Sequence, residues 1–335
     1  MEIFENGQWL PLVFVFLMGI AVLAYVILDG YDLGVGILMS QVEEKDRDKM
    51  IASIGPFWDA NETWLVLSVG ILLVAFPKAN GIILTALYIP VAIMLLGLIL
   101  RGVSFDFRAK VKLSQKHLWD KSFIFGSFLA SMAQGFMLGM YIMTFEYNVF
   151  TIIFSLLTGI CLASGYSLVG ASWLIMKTEG ALQIKSIKWA KYSLVLTAFG
   201  MVLISLTTPL LNSRIFDKWF SMPNFFFLLP IPVITGLLII FLYITLKKLP
   251  LKDDALCWVP FVGSIGLFIL GFCGLAYSFY PYIVPDQLTI WEAASSPESL
   301  KVILIGALIV LPFIIGYTIF AYRVFWGKVK DLSYY

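Results

Sequence analysis

The chain has 335 residues, of which 60% are hydrophobic and 13% are charged, and its formal net charge is +2. Its mean hydropathy of +0.92 far exceeds that of ordinary soluble domains. This composition excludes a soluble globular enzyme, and the small net charge gives no sign of a nucleic-acid partner. The apolar residues occur in runs long enough to cross a bilayer as helices, so the sequence predicts an all-α integral membrane protein.

Nine apolar runs predict nine transmembrane helices. They cover residues 9–28, 54–76, 81–100, 123–141, 149–176, 192–211, 225–246, 257–280 and 302–322. The first helix is open to a helical continuation as far as Met39. No connection between the runs holds enough apolar sequence to fold as a soluble domain.

The lysines and arginines predict how these helices cross the membrane. Nineteen of the 23 Lys and Arg residues fall in the connections after helices 1, 3, 5 and 7 and in the C-terminal tail. Because cytoplasmic loops are enriched in these residues, the N-terminus is expected outside and the C-terminus in the cytoplasm. The acidic start of the chain lacks the basic region of a secretory signal, so helix 1 is expected to remain in the mature protein. Below, "inner" means the predicted cytoplasmic side.

Four acids lie near the inner ends of helices 1 and 2. Asp29 and Asp32 follow the first apolar run, and Asp59 and Glu62 begin the second. Each pair is three residues apart, which places its members on one face of a helix. Acids at membrane depth indicate a functional site, because they must pair, protonate or face water. Asp59 is expected to be the deepest of the four and the main proton carrier.

Basic residues at the inner end of helix 3 allow two interpretations of these acids. In the first, Arg101 and Arg108 neutralise Asp32 or Asp106 in buried ion pairs that fix the helix register. In the second, the carboxylates form a proton path from the cytoplasm, helped by water and by the polar side chains of Ser53, Asn61 and Thr63.

A weak internal repeat predicts the arrangement of the helices. Residues 165–170 at the inner end of helix 5 are similar to residues 30–35 at the inner end of helix 1. We therefore expect two parallel four-helix bundles, 1–145 and 146–282, followed by a ninth helix and tail in 283–335. Chance similarity between glycine-rich membrane helices is the alternative.

Metal ligands are scarce. The single histidine, His117, lies in a basic loop, and the three cysteines are widely separated. There is no CxxC, CxxCH, P-loop or nucleophile elbow. The sequence therefore predicts no metal site and no haem ligated by this chain.

Several motifs together resemble subunit II of cytochrome bd-type quinol oxidases, over essentially the whole chain. They are DGYDLGVG at 29–36, IGPFWDANETW at 54–64, FP at 76–77, RGVSFDFR at 101–108, GYSL at 165–168 and WLIMK at 173–177. The resemblance implies a respiratory complex in the bacterial cytoplasmic membrane that oxidises quinol and reduces O2 to water. It implies haem b and haem d in a partner, subunit I, and leaves open a bound structural quinone and a small accessory subunit.

The resemblance also implies roles for individual residues. Asp59 matches the family's proton-channel acid, and Asp29 and Asp32 match members of the surrounding acidic cluster. Trp58 matches an aromatic residue facing subunit I. Arg101 and Asp106 match a motif whose role is expected to be structural, as is that of Arg108. In place of a histidine found in many members, this chain has Phe57.

Two other functions compete with an oxidase subunit. A proton-coupled secondary transporter could use Asp32 and Asp59, since transporters carry internal repeats and intramembrane charges. The acids here lie at inner helix ends, however, and no pair of broken helices is evident in both halves. A purely structural assembly subunit is the other alternative.

Overall fold

The computed structural model describes residues 7–329 and is nearly all helical in that range. The α-helices are α1 (Leu10–Leu38), α2 (Glu44–Ile54), α3 (Trp58–Ala75), α4 (Pro77–Ala86), α5 (Tyr88–Arg108), α6 (Leu113–Ile142), α7 (Val149–Lys177), α8 (Gly180–Leu211), α9 (Ser213–Phe220), α10 (Asn224–Leu228), α11 (Pro230–Lys248), α12 (Val259–Phe279), α13 (Ile290–Ala293) and α14 (Pro297–Val324). Short 3₁₀ turns cover Met39–Gln41 and Lys252–Asp254. Two strands, β1 (Tyr282–Val284) and β2 (Leu288–Thr289), pair antiparallel.

Within residues 7–329, nine helical segments are long and apolar enough to cross a membrane, as predicted. The first continues without a break through its glycine-rich end to Leu38, so the expected helical continuation is confirmed. The second begins at Trp58 instead of residue 54, because Gly55 and Pro56 separate it from the polar helix α2. The third is divided at Leu87 into α4 and the spanning helix α5.

Residues 7–329 form two compact units. Unit 1 contains residues 7–29, 56–86 and 279–326, and unit 2 contains residues 30–55, 87–278 and 327–329. The predicted four-helix bundles 1–145 and 146–282, and the predicted orientation of the termini, stay predictions.

In unit 1, the first part of α1 packs against α3. Ala21 and Tyr25 of α1 and Trp64 of α3 form a buried apolar cluster, and Ile314 of α14 packs against it. The β-hairpin and α13 follow α12, and the Ser295 backbone N–H donates to the Ala75 carbonyl at the end of α3 (2.8 Å). This bond satisfies a carbonyl that has no partner within its own helix.

Thr289 and Glu292 form a capping box at the start of α13. The hydroxyl and the backbone N–H of Thr289 both donate to the Glu292 carboxylate, at 2.6 and 2.8 Å. These hydrogen bonds lower the pKa of Glu292. The segment between α12 and α14 is therefore held in place by this capping box and by its hydrogen bond to the end of α3.

In unit 2, consecutive long helices pack side by side: α5 on α6, α6 on α7, and α7 on α8. Small residues allow these contacts. Gly97 of α5 faces Ala130 of α6, and Gly135 of α6 faces Gly159 of α7. Such small residues let membrane helices approach closely enough for backbone contact.

The inner end of α1 crosses α7 at a pair of glycines. Gly34 lies against the Tyr166 carbonyl, and Gly170 lies against the backbone of Gly34 and Val35. One turn away, the Tyr31 ring stacks on Trp173 with centroids 4.4 Å apart. The two segments that suggest the internal repeat therefore pack against each other, whereas the repeat itself stays a prediction.

The Gly34 crossing is testable by adding one methyl group. In Gly34→Ala the new Cβ would overlap the Tyr166 carbonyl, so α1 and α7 must separate, which we expect to cost about 1–3 kcal/mol or more. Gly236→Ala in α11 is the matched control, because a Cβ there meets no atom within 4 Å. Thermal unfolding of the solubilised protein should show a lower midpoint only for Gly34→Ala. Equal midpoints for the two variants would contradict a tight crossing.

Candidate functional site

Asp29 and Asp32 lie in the last part of α1 and are both completely buried. The unbroken helix keeps them three residues apart on one face, as the sequence predicted. Asp29 belongs to unit 1 and Asp32 to unit 2. Burial makes the ionised form of a carboxylate costly unless donors or cations compensate it, so these two acids are the strongest proton-holding candidates in α1.

Asp59 is less buried than expected. It lies in the first turn of α3 and is exposed on the surface of this chain, whereas its depth in the membrane stays a prediction. Sequence hydrophobicity places a residue along a helix but does not show which face other helices cover. In this position the carboxylate favourably meets the positive end of the helix dipole. Glu62 and Trp58 are half-buried in the same two turns.

Asn61 connects these turns of α3 to α1 within unit 1. Its side-chain amide donates to the carbonyl of Leu28, the residue before Asp29, at 3.2 Å. Its carbonyl oxygen accepts from the Tyr322 hydroxyl of α14 at 3.4 Å. The turn that carries Asp59 and Glu62 is thereby held at the level of Asp29.

The Phe57 ring packs against other aromatic rings of unit 1. It is buried, and it stacks on Tyr322 with centroids 4.5 Å apart. Its ring also meets Phe325 edge-on at 5.9 Å. The immediate neighbourhood of Asp59 along the chain is therefore apolar on this side.

Two hydroxyls proposed for the path are bound locally. The Thr63 hydroxyl donates to the Ala60 carbonyl at 2.6 Å, and the Ser53 hydroxyl donates to the Met50 carbonyl at 2.7 Å. Thr63 is exposed and Ser53 is buried. Each hydroxyl oxygen can still accept a hydrogen bond, but its hydrogen is already donated to a carbonyl of its own helix.

Arg101 is buried in α5, whereas Asp106 is exposed. Gly126 of α6 packs against the Arg101 backbone, and its neighbour Ser127 packs against Gly36 of α1. Since Gly36 is one turn beyond Asp32, α6 brings Arg101 and Asp32 to similar levels of unit 2.

Arg108 is the centre of a charge network that joins α2, α5 and α6 in unit 2. It donates to Asp120 at 2.5 Å and to Asp48 at 2.7 Å. Arg47 also binds Asp120 at 3.2 Å, and Lys116 also binds Asp48 at 2.7 Å. Arg108 and Asp120 are both fully buried. In this network the buried charges compensate one another. The carboxylates that bind Arg108 are those of Asp48 and Asp120, whereas Asp106 is exposed.

Although burial opposes it, hydrogen bonds from Lys116 and Arg108 lower the pKa of Asp48. A carboxylate whose pKa is lowered by folding contributes stability above its ordinary pKa and loses it as the pH falls through the folded pKa. The ion pairs of Asp48 with Lys116 and Arg108 therefore contribute more stability at neutral pH than in acid.

Sequence reasoning missed Asp48, Asp120 and Lys116. A spacing of four residues places Lys116 and Asp120 on one face of α6, but it gives no signal for the bond from Lys116 to Asp48, 68 positions away. The bonds of Arg108 to residues 60 and 12 positions away carry no such signal.

Among residues 7–329, no group of three or more His, Cys, Asp or Glu side chains could hold a metal ion. Proton transfer through carboxylates is the chemistry that the site's own residues support.

Comparison with known proteins gives consistent matches. A family model described as cytochrome bd terminal oxidase subunit II matches residues 10–325. The chain is 30% identical to cytochrome bd ubiquinol oxidase subunit 2 of Bacillus subtilis (strain 168), with 97% of both chains covered. It is 25% identical to cytochrome bd-I ubiquinol oxidase subunit 2 of Escherichia coli (strain K12), with 93% of both covered. Its fold is similar to a chain of the bd oxidase structure from Geobacillus thermodenitrificans, with a TM-score of 0.77, 16% identity and coverage of 94% and 98%.

Removing one charge from the network tests its structural weight. Asp120→Asn leaves buried Arg108 without its closest carboxylate, so we expect a loss of about 3–5 kcal/mol in the free energy of unfolding. Asp46→Asn is the control, because the Asp46–Lys185 pair lies at the surface, where water and salt screen it, so we expect little change in the free energy of unfolding. Denaturant titration of the solubilised protein, followed by circular dichroism, measures both. If the two variants unfold at the same denaturant concentration, the network contributes no more to stability than a surface ion pair does.

Proposed function

Because this chain belongs to the family of cytochrome bd terminal oxidase subunit II, we propose that it carries protons from the cytoplasm toward an oxygen-reducing haem site in its partner subunit. The coarser function follows from membership: the chain is a multi-pass bacterial inner-membrane protein and a subunit of a quinol oxidase complex, which is an oxidoreductase. Subunit I is its partner in that complex. The resemblance found in the sequence is thereby confirmed.

The bond between Asn61 and Leu28 is the observation that carries the proposal. It fixes Asp59 and Glu62 of α3 at the level of Asp29 of α1, in helices that are otherwise apolar. A chain of carboxylates at one level can pass protons when some of its members are buried and others reach the surface. Here Asp29 is completely buried, Glu62 is half-buried and Asp59 is exposed.

Each acid has its own role in this proposal. Asp59 delivers protons at the surface where subunit I packs, since an exposed acid on an apolar helix must meet water or a polar group of a partner. Glu62, one turn further along α3, is its relay. Asp29 and Asp32 of α1 form the inward part of the path. Trp58, half-buried beside Asp59, is the aromatic residue that faces subunit I.

The second part of the proposal is a scaffold role. The shortage of clustered metal ligands in residues 7–329 agrees with haem b and haem d held by subunit I. Arg101, Arg108 and the exposed Asp106 support the inner ends of the helices without carrying protons. No residue is assigned to a quinone, and the proposal needs neither a bound quinone nor an accessory subunit.

Neutralising Asp59 tests the proton path. Asp59→Asn preserves the shape of the side chain but cannot carry a proton, so we expect oxygen consumption by the purified complex to fall about tenfold or more, equivalent to a barrier raised by about 1.4 kcal/mol or more. Haem content, read from the visible spectrum, should stay near that of the unaltered complex. Asp253→Asn is the control, because Asp253 is an exposed acid in a predicted cytoplasmic loop. Loss of haem together with activity in Asp59→Asn would instead support the structural interpretation.

A double-mutant cycle tests whether Arg101 compensates Asp32. If the two charges offset each other, Arg101→Gln should destabilise the complex by about 3–5 kcal/mol alone and by much less in the Asp32→Asn background. The pair Arg101→Gln and Asp253→Asn should be additive, because Asp253 is exposed. Denaturation midpoints of the haem spectrum provide the measurement. Additivity of Arg101→Gln with Asp32→Asn would remove Arg101 as the counter-ion.

A further inference from the structure

The short helix α9 is held firmly against the end of α12 in unit 2. Ile215 is completely buried, and the Trp219 ring N–H donates to the Ser278 hydroxyl at 2.8 Å. The Lys218 ammonium donates to the Tyr277 carbonyl at 2.7 Å and lies 4.4 Å from the centroid of the Tyr277 ring. These contacts fix the rotation of α9 about its own axis.

The fixed rotation turns a row of aromatic rings outward. Phe216 and Phe220 are four residues apart on one face of α9, with centroids 4.8 Å apart. The row continues from Phe220 to Phe225 and on to Phe226, over 6.2 and 5.6 Å. Phe226 is 65% exposed and Phe227 is 77% exposed. We call residues 216, 220, 225, 226 and 227 the aromatic row. A contiguous apolar patch of this kind marks a surface that is covered in use.

The position of the row indicates what covers it. Helix α9 connects two segments long enough to span the membrane, Gly180–Leu211 and Asn224–Lys248, so it lies where both leave the apolar layer. Only 11% of the most apolar stretch of Asn224–Lys248 is buried. Its exposed side chains, such as Val233 and Leu237, follow the row along the chain. The row is therefore continuous with a surface that faces the hydrocarbon of the bilayer.

The charges of α9 fit the same boundary. Arg214 and Lys218 lie roughly 160° around the helix from the aromatic face, and Ser213 and Asp217 lie between the two. Burial and the nearby Arg214 lower the pKa of Lys218. An aromatic face opposite a cationic face is the pattern of a helix that lies in the plane of a membrane interface.

We propose that α9 is an interfacial anchor whose aromatic row inserts into the lipid headgroup and upper acyl region, on the side of the membrane where α8 ends. The partner is the lipid surface itself, and the proposal does not depend on the proton path. Insertion of the row fixes the depth of α8 and α11 in the bilayer, because α9 is rigidly joined to α12 and connects the two.

Spin labels on the complete oxidase complex in lipid nanodiscs test this anchor. In a background where Cys161, Cys257 and Cys273 are replaced by alanine, single labels at Phe216→Cys and Asp217→Cys are compared for collision with oxygen and with a water-soluble nickel chelate. Asp217 is the control, since it is exposed and lies about 100° around the same helix. The oxygen-to-nickel collision ratio should be several-fold higher at Phe216→Cys.

A second label at Phe226→Cys keeps the test decisive if one variant fails to assemble. This label should show the same high ratio as the label at Phe216→Cys. The visible haem spectrum verifies that each variant assembles. Ratios at Phe216→Cys and Phe226→Cys as low as the ratio at Asp217→Cys would place the row in water and overturn the proposal. Low collision with both reagents at Phe216→Cys and Phe226→Cys would overturn it as well, because a protein partner would then cover the row.

Discussion

Compensation of buried charge is the constraint on which the inner part of this structure depends. Arg108 and Asp120 are completely buried, and each is bound by more than one opposite charge, so neither is left alone in a medium that stabilises ions poorly. The network joins α2, α5 and α6 near their ends. It also reaches the turn after α1, because Arg47 donates to the Met39 carbonyl at 3.2 Å. These ion pairs and this hydrogen bond hold the helices in register.

The same constraint separates two kinds of charged residue. The carboxylates of Asp48 and Asp120 are occupied by strong cationic donors. Asp29, Asp59 and Glu62 lie instead in helices dominated by apolar side chains, near the amide of Asn61. The proposed proton path uses the acids of the second group.

The number of spanning helices among residues 7–329 followed from the sequence because hydrophobic run length is a direct consequence of bilayer thickness. The shared face of Asp29 and Asp32 followed as well, because they are three residues apart on a continuous helix, but their complete burial did not. The exposure of Asp59 did not follow. Which side of α3 is covered depends on contacts with α1 and α14, and these come from distant parts of the chain.

The ion-pair partners show the same limit. Arg108 was recognised as structural, but its partners Asp48 and Asp120 were not found, because these acids of α2 and α6 can reach it only after α2, α5 and α6 have packed. The glycine crossing was visible only indirectly. Similar segments around residues 30 and 165 were interpreted as copies of each other, and the structure adds that they are in contact.

Phe57 narrows the route by which protons can reach Asp59. Its buried ring stacks on Tyr322, where a histidine would have offered a titratable nitrogen beside the acid. The Tyr322 hydroxyl instead donates to Asn61, whose amide donates onward to the Leu28 carbonyl. Both groups orient their neighbours through hydrogen bonds. In the proposed path, therefore, protons reach Asp59 through Glu62 or through water at the surface proposed to face subunit I, and not through the residue at position 57.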